Sequence, residues 1–324
     1  MYRAVIIGLG KIAWRYDDDS TGINQTSRTH AKAYLLNPNV ELVAGCSTSK
    51  KDRVDFQKIY KVEVYENYEE MIKKVKPDII SICTPLAFHY EQLMACLKHN
   101  IKMVWLEKPP LESLKQVEVL LDYQKKMNSK TKILVGYQRR YSEPFKKLKE
   151  MIDRGLIGEL KNIHIDYSKG IVENGSHYLD IALYLLGDPD EIKIDFISHD
   201  SGKKNPSFRL RTQTGLSVFF IGMELPYHCL DVIVTGTLGR ASILHGGKDC
   251  RYEEVREQEL YPGYYYLKEE TECRLGTGGL EHALDNSLQD LIHAFENNSL
   301  LLSNLDTSKK TLSILDEIAN YQSE

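Results

Sequence analysis

Two short stretches of this sequence carry residue types able to take a proton or hold a charge. The first is Trp105-Leu106-Glu107-Lys108-Pro109-Pro110, where a Glu–Lys pair follows an apolar run directly and proline pins it. A charged pair in that place puts Lys108 at the ligand edge of a buried sheet. The plainer reading is a lysine in an ordinary strand-to-helix loop. The second is Glu173-Asn174-Gly175-Ser176-His177-Tyr178-Leu179-Asp180. His177 and Asp180 are three apart, so they share a helix face. Asn174 or Ser176 can cap that helix, which Gly187 and Pro189 end. Glu173 precedes it and can fold toward His177. A histidine in the first turn feels the positive end of the helix dipole, which disfavours its cation and keeps a neutral base. The plainer reading is a buried structural histidine bonded to Asp180.

A third stretch points to a ligand. Gly8-Leu9-Gly10-Lys11-Ile12-Ala13 fits G-x-G-x-x-G/A and follows an apolar run at the chain's start. The first glycine permits a tight turn, the second lets backbone approach a pyrophosphate, and Ala13 lets helix and strand pack closely. This reading predicts a bound dinucleotide; the alternative is a glycine-containing turn with no ligand. The polar, turn-rich stretch 14–29 then separates the fingerprint from the next helical residues. Its Asp17-Asp18-Asp19 run lacks the alternating spacing of a calcium loop, so a solvated insertion is expected, and a lid over the site is a further possibility.

The next strand ends Cys46-Ser47-Thr48-Ser49-Lys50-Lys51-Asp52-Arg53. No acid stands where one would hold a ribose 2′-hydroxyl. Ser47, Ser49, Lys50 and Arg53 would instead accept a 2′-phosphate, which favours NADP(H), with NAD(H) the other possibility. The alternative is the basic first turn of an ordinary surface helix.

These residues need a frame, and hydrophobic periodicity supplies one. Largely apolar runs at 4–7, 40–44 (interrupted by Glu41), 79–83 and 103–106 are short, β-branched or aliphatic and bounded by polar or turn residues, as doubly buried strands are. Helical stretches lie between them, at 31–36, 68–75 and 89–99, with another at 114–126 before a strand at 133–135. This alternation predicts an α/β domain with a doubly wound parallel sheet over residues 1–125. Residues 126–324 read differently. A helix at 143–154 precedes an alternating strand at 161–167, a helix near 176–186 and five further strand-like patterns between 191 and 244. Terminal helices follow at 288–296 and 307–321. This predicts an α+β domain with a large open, mostly antiparallel sheet, its last helix packing back on the first domain.

Composition sets limits on partners. Of 324 residues, 42 are Lys or Arg and 46 Asp or Glu, a formal charge of −4. Such a chain has no bulk attraction for nucleic acid or an anionic membrane. No apolar run approaches the roughly 18 residues that would span a bilayer, and none suits a signal peptide. The six cysteines form no C-x-x-C and read as reduced residues, with no metal site expected. A cytoplasmic protein is expected.

Taken in order, the fingerprint at 8–13, Ser81-Ile82-Cys83-Thr84-Pro85 with His89, Glu107-Lys108-Pro109, Gly136-Tyr137-Gln138-Arg139-Arg140-Tyr141, Gly155-Leu156-Ile157-Gly158 and Gly175-Ser176-His177-x-x-Asp180 form a set. The set resembles the glucose–fructose oxidoreductase/inositol 2-dehydrogenase (Gfo/Idh/MocA) family over nearly the whole chain. That resemblance implies a Rossmann domain, a second α/β domain whose open sheet often joins subunits as homodimers or homotetramers, and NAD(P)-dependent hydride transfer at a carbinol carbon of a sugar, cyclitol or nucleotide sugar. It implies that Lys108 positions and polarises the reacting oxygen, that His177 is the acid/base, and that Glu173 stands where the family often has Asp. It implies cofactor contacts at Gly8, Gly10, Lys11, Ile12, Cys83, Thr84, His89, Glu107 and Lys108. Arg139, Arg140 and Asn174 are candidate substrate contacts beside Lys108 and His177, with a surface salt bridge the alternative for either arginine. Two other functions remain open: reduction of an imine or tetrapyrrole, and dinucleotide sensing without turnover.

Overall fold

The apolar runs of the first 140 residues become strands of one sheet. The computed structural model describes residues 1–324 except 18–25, 190, 199–201, 203, 270–274, 277 and 322–324. The strands are β1 (Tyr2–Ile7), β2 (Val40–Cys46), β3 (Glu63–Tyr65), β4 (Ile79–Ile82), β5 (Met103–Leu106) and β6 (Lys132–Val135). Their order is β3-β2-β1-β4-β5-β6, with every pair parallel. The direction of winding reverses between β1 and β4, which opens a crevice at their carboxyl ends.

Helices α1 (His30–Leu36), α2 (Lys50–Tyr60), α3 (Tyr68–Val75), α4 (His89–Lys98) and α5 (Leu114–Lys126) connect these strands. Four of them start where the sequence offers a cap: side chains of Thr29, Ser49, Asn67 and Ser113 accept from first-turn amides. Val5, Ile7, Ile80, Ile82, Val104 and Leu106 form one core with Leu93, Leu97, Val117 and Leu120 from the helices.

The second sheet has eight strands: β7 (Leu160–Ser168), β8 (Ile192–Ser198), β9 (Ser207–Thr212), β10 (Ser217–Met223), β11 (Leu230–Gly236), β12 (Gly239–Leu244), β13 (Asp249–Glu257) and β14 (Tyr265–Glu269). Their order is β14-β13-β12-β11-β7-β10-β9-β8. Only the β7–β10 pair among them is parallel. A parallel pair needs a crossover, and α7 (Ser176–Leu185) with the β8–β9 hairpin supplies it. Ile163, Ile165 and Tyr167 of β7 point into a core shared with Phe145 and Leu148 of α6 (Glu143–Asp153) and with Leu179 and Leu183 of α7. The alternate residues Asn162, His164 and Asp166 keep partial exposure, as the period-two pattern requires. A doubly wound parallel sheet and a large, mostly antiparallel one are thus both present, as expected.

The described chain divides into two compact units: residues 1–138 with 281–312, and residues 139–280 with 313–324. β6 therefore belongs with the first sheet, and so does α8 (Ala283–Glu296), which packs on α1, β5 and β6. Asp285 of α8 accepts from Ser27 Oγ at 2.5 Å, and Ser303 Oγ donates to the Val135 carbonyl at 2.8 Å. The last helix, α9 (Leu305–Asn320), spans the division: Leu305 and Leu312 join the first core, Ile314, Leu315 and Ile318 the second.

Three strands escaped the sequence reading. β3 has only three residues. β14 is an edge strand with exposed residues on both faces, and its neighbour β13 alternates only as far as Tyr252, beyond which it carries charges on both faces. Among the described residues, no helix is long and apolar enough to cross a membrane.

Candidate active site

The glycine turn sits at the carboxyl end of β1, beside the crevice. Gly8 has φ +89, and a Cβ there would lie 2.7 Å from both the carbonyl carbon and oxygen of Cys83. Only glycine satisfies that conformation and that approach together. A Cβ on Gly10 would meet nothing within 4 Å. Gly10 and Lys11 are exposed and Ile12 half-buried, so this backbone faces open space of the kind a pyrophosphate needs.

The fingerprint and the next helix are separated, as the sequence reading expected. Residues 11–14 make a turn, and a 3-10 turn follows at Arg15–Asp17. Yet His30 N donates to the Ile12 carbonyl at 3.2 Å and Ala31 N to that of Ala13 at 2.9 Å. α1 therefore continues the fingerprint's own turn, with 15–29 inserted between. Asp17 accepts from Arg28 N at 3.0 Å and from Thr29 Oγ1 at 2.6 Å, tying the two ends of the insertion together. The rest of that stretch, with Asp18, Asp19 and the lid expected there, lies outside the described residues.

At the end of β2, the cations proposed for a 2′-phosphate have differing commitments. Ser49 caps α2. Arg53 donates to the Ser47 and Thr48 carbonyls at 2.6 and 3.0 Å and pairs with Glu66 at 2.9 Å. Lys51 pairs with Asp55 at 2.7 Å, whereas Lys50 is exposed. Arg15 reaches across from the fingerprint to Asp52 and Asp55, and its guanidinium lies 4.4 Å from the Trp14 ring centroid.

The ends of β4 and β5 bring Cys83, Thr84, His89, Glu107 and Lys108 to the same edge of the first sheet. Cys83 N donates to the Ile7 carbonyl at 2.8 Å, Glu107 N to that of Ile82 at 3.0 Å. The Lys108–Pro109 peptide is cis, and Lys108 is half-buried. Burial pushes the Cys83 thiol well above its ordinary value, and Glu107 adds to the effect, which disfavours the thiolate. His89 faces inward: its ring nitrogens lie 2.8 Å from the Thr84 carbonyl and 3.1 and 3.2 Å from those of Pro109 and Pro110. It ties the loop after β4 to the turn after β5. Glu107 Oε1 lies 2.9 Å from His30 Nε2, a contact the sequence reading missed. No local pattern could have revealed it, because the partners lie 77 residues apart.

In the second unit, a π-helical turn (Ile171–Gly175) runs straight into α7. Neither expected cap forms. Ser176 Oγ donates back to the Val172 carbonyl at 2.6 Å, while Asn174 Nδ2 donates to Ser168 O at 3.1 Å and lies 3.0 Å from His228 Nδ1. The helical run already includes residues 171–175, so His177 sits in its second turn, and the dipole argument for its neutrality weakens accordingly. The Glu173 carboxylate takes the space a Cβ on Gly170 would fill, beside the Lys204 stem. Asp180 does not serve His177: both its carboxylate oxygens accept from Arg140, at 2.8 and 2.9 Å.

Arg140 is accordingly no surface ion pair and no open substrate contact. Its fully buried guanidinium also meets Asp188 at 2.9 Å, and the two carboxylates hold it firmly charged. Arg139, next in line, has no acid within ion-pair reach among the described residues. It stacks 4.6 Å from the Tyr178 ring centroid and reaches the Gly246 carbonyl at 3.4 Å. Burial pushes the Tyr178 hydroxyl up to about 12. Tyr261 and Tyr264 flank the exposed turn between β13 and β14, and Tyr265 and Tyr266 begin the edge strand. No group of three or more His, Cys, Asp or Glu among the described residues is placed to hold a metal ion.

Comparison with known proteins agrees with this geometry. Residues 2–137 match the profile of GFO_IDH_MocA, the oxidoreductase family with an NAD-binding Rossmann fold. D-glucoside 3-dehydrogenase of Escherichia coli is 27% identical over 208 residues, 58% of this chain and 54% of that protein. Inositol 2-dehydrogenase/D-chiro-inositol 3-dehydrogenase of Lactiplantibacillus plantarum is 28% identical over 163 residues, 46% of each. The alignment thus spans about half the length of these curated relatives. The crystal structure of myo-inositol 2-dehydrogenase from Lactobacillus plantarum superposes with a TM-score of 0.75 at 19% identity, over 98% of this chain and 97% of that one, and so shares its fold. With the fingerprint, the reversed strand order and the Glu107-Lys108-Pro109 edge all in place, residues 2–137 form the NAD-binding Rossmann domain of the Gfo/Idh/MocA oxidoreductase family.

Proposed function

We propose that this chain is an NAD(P)-dependent dehydrogenase acting on a carbinol carbon of a sugar, cyclitol or nucleotide sugar. The observation that carries this reading is the carboxyl edge of the first sheet. It gathers an open glycine turn, a half-buried lysine and a glutamate at one crevice. The names of the aligned relatives, glucoside and inositol dehydrogenases, support the substrate class.

A bound nicotinamide supplies the hydride acceptor. The chain's residues handle the proton and the charge. His177 takes the hydroxyl proton at an imidazole nitrogen as the carbinol C–H is lost as hydride. The Lys108 ammonium stabilises negative charge growing on the oxygen, an effect that is large where water is excluded. Glu173 and Asn174 border His177 in sequence and orient the substrate, and Arg139 offers a guanidinium not committed to an acid. Gly8, Gly10, Lys11 and Ile12 receive the pyrophosphate, while Cys83, Thr84 and Glu107 border the nicotinamide half. The finer preference is for NADP(H), because β2 ends in Cys46 without an acid and exposed Lys50 follows Ser47 and Ser49. The same reading expects a homodimer or homotetramer through the second sheet, where Ile221 is exposed and Ile233 and Leu244 are half-buried. Light scattering on the purified chain tests that.

The decisive experiment is a screen of cyclitols, sugars and nucleotide sugars with each cofactor, following nicotinamide absorbance. Lys108→Ala and His177→Ala should each lower kcat by about 10²- to 10⁴-fold while cofactor Kd hardly moves. Near-normal turnover in both variants would refute the roles. Tighter binding of NAD(H) than NADP(H) would overturn the cofactor preference.

A further inference from the structure

We propose that His30 is a positioning residue: a one-way chain of hydrogen bonds from Tyr34 through Ser81 holds its ring as the Nε2–H tautomer, which orients the Glu107 carboxylate for a hydroxyl of the bound dinucleotide. This rests on the reading of Glu107 as a cofactor contact.

The chain is buried, and its members come from three elements. Tyr34 Oη lies 2.5 Å from Ser81 Oγ, Ser81 Oγ lies 2.8 Å from His30 Nδ1, and His30 Nε2 lies 2.9 Å from Glu107 Oε1. Tyr34, His30 and Ser81 are each 0% exposed. The Trp105 ring covers His30, with centroids 4.0 Å apart.

Counting protons gives the direction. Among the described residues the Tyr34 hydroxyl has one partner, Ser81 Oγ, so its proton must go there. Ser81 then gives its own proton to His30 Nδ1, which accepts as a lone pair. Nε2 carries the ring proton and donates it to the Glu107 carboxylate. Every donor meets an acceptor.

The other protonation states leave a defect. An imidazolium would donate to Ser81 from Nδ1; Ser81 would then either donate to Tyr34 and strand the Tyr34 proton, or accept from both and strand its own in a dry interior. The Nδ1–H tautomer would turn a lone pair on Nε2 toward a carboxylate oxygen. Both states are disfavoured by geometry.

The consequence falls on Glu107. One of its oxygens is fixed by His30, and the missing side chain of Gly136 leaves that oxygen its room, since a Cβ there would lie 3.1 Å from it. The side chain keeps 12% exposure, so its remaining acceptor capacity faces outward at the edge where a ribose hydroxyl would arrive. A carboxylate free to swing would lose part of each such bond to rotamer entropy.

The test uses the full-length purified chain. With histidine labelled in ¹⁵N, the His30 signal, identified by its loss in His30→Gln, should show a protonated Nε2 and an unprotonated Nδ1. NADPH titration should find Kd raised about tenfold in His30→Asn, whose amide keeps the Nδ1 position but cannot reach Glu107. His30→Gln, with an amide nitrogen near the Nε2 position, should recover most of that loss. Ser81→Ala should give mixed tautomers in the same spectrum. An imidazolium or Nδ1–H ring in the wild-type chain overturns the proposal. So does equal NADPH binding by His30→Asn and His30→Gln. If His30→Asn does not fold, the wild-type and Ser81→Ala spectra decide. None of these readouts needs turnover, so a chain that oxidises no sugar or cyclitol sinks the activity reading and leaves this result standing or fallen on its own.

Discussion

The two units treat buried charge in opposite ways. In the second, Arg140 meets Asp180 and Asp188, and charge is compensated on the spot. In the first, Glu107 ends a strand with a histidine ring as its partner and part of its surface open. A closed triad has nothing left to offer a ligand and serves the fold. A carboxylate with spare acceptor capacity at the carboxyl edge of a doubly wound sheet is placed to serve a site. Two arginines side by side repeat the lesson: Arg140 is consumed by acids, whereas Arg139 only stacks on a ring and touches a carbonyl.

The largest effect should come from breaking the triad. Arg140→Leu strands Asp180 in the interior and should cost about 3–5 kcal/mol in urea unfolding. Replacing Asp180 by Leu as well should restore much of the loss, which would mark the triad as a device of packing and not of catalysis. Gly8→Ala should cost less, about 1–3 kcal/mol, from strain at a positive φ and collision with the Cys83 backbone. It should also weaken cofactor binding, an effect Arg140→Leu should lack once allowance is made for folding. The smallest effect sharpens a contrast within the first sheet, between its two edges. At the amino edge, Asp78 accepts from Arg3 N at 2.9 Å and Lys102 Nζ at 2.7 Å. Burial raises its pKa, but those two bonds outweigh it and hold the carboxyl below its ordinary value of 3.8. Its contribution to stability is therefore complete above that value and fades as pH falls through the lower folded one. Urea unfolding at about pH 5 and about pH 3 should show this, and Asp78→Asn should flatten the difference.

Much of the frame was readable because it obeys simple periods. The runs at 4–7 and 103–106 are apolar throughout and that at 79–83 is apolar but for Ser81, since their strands are covered on both faces, and Ile163, Ile165 and Tyr167 alternate because β7 is covered on one. The glycine turn and the Glu107-Lys108-Pro109 edge were legible for the same reason: strand ends in a parallel sheet fall in predictable places. What escaped depends on partners distant in the chain or on irregular backbone. β13, next to the edge strand, loses its alternation after Tyr252 and carries charges on both faces. The π turn before α7 has no sequence period and shifts His177 away from the helix start. Arg140 gave no sign of burial, because its acids lie 40 and 48 residues onward. His30 stood in the sequence only as a helical residue, and its meaning came from strands 51 and 77 residues away.

The splice at α1 has one more consequence. Because His30 and Ala31 bond the carbonyls of Ile12 and Ala13, the chain leaves and re-enters the same helix, and Asp17 fastens the exit to the entrance. The closure is made by residues 12–13 with 30–31 and by Asp17 with 28–29, so this point is a socket: a tag, a sensor peptide or another binding loop exchanged between them should leave the register of the strands on either side unaltered.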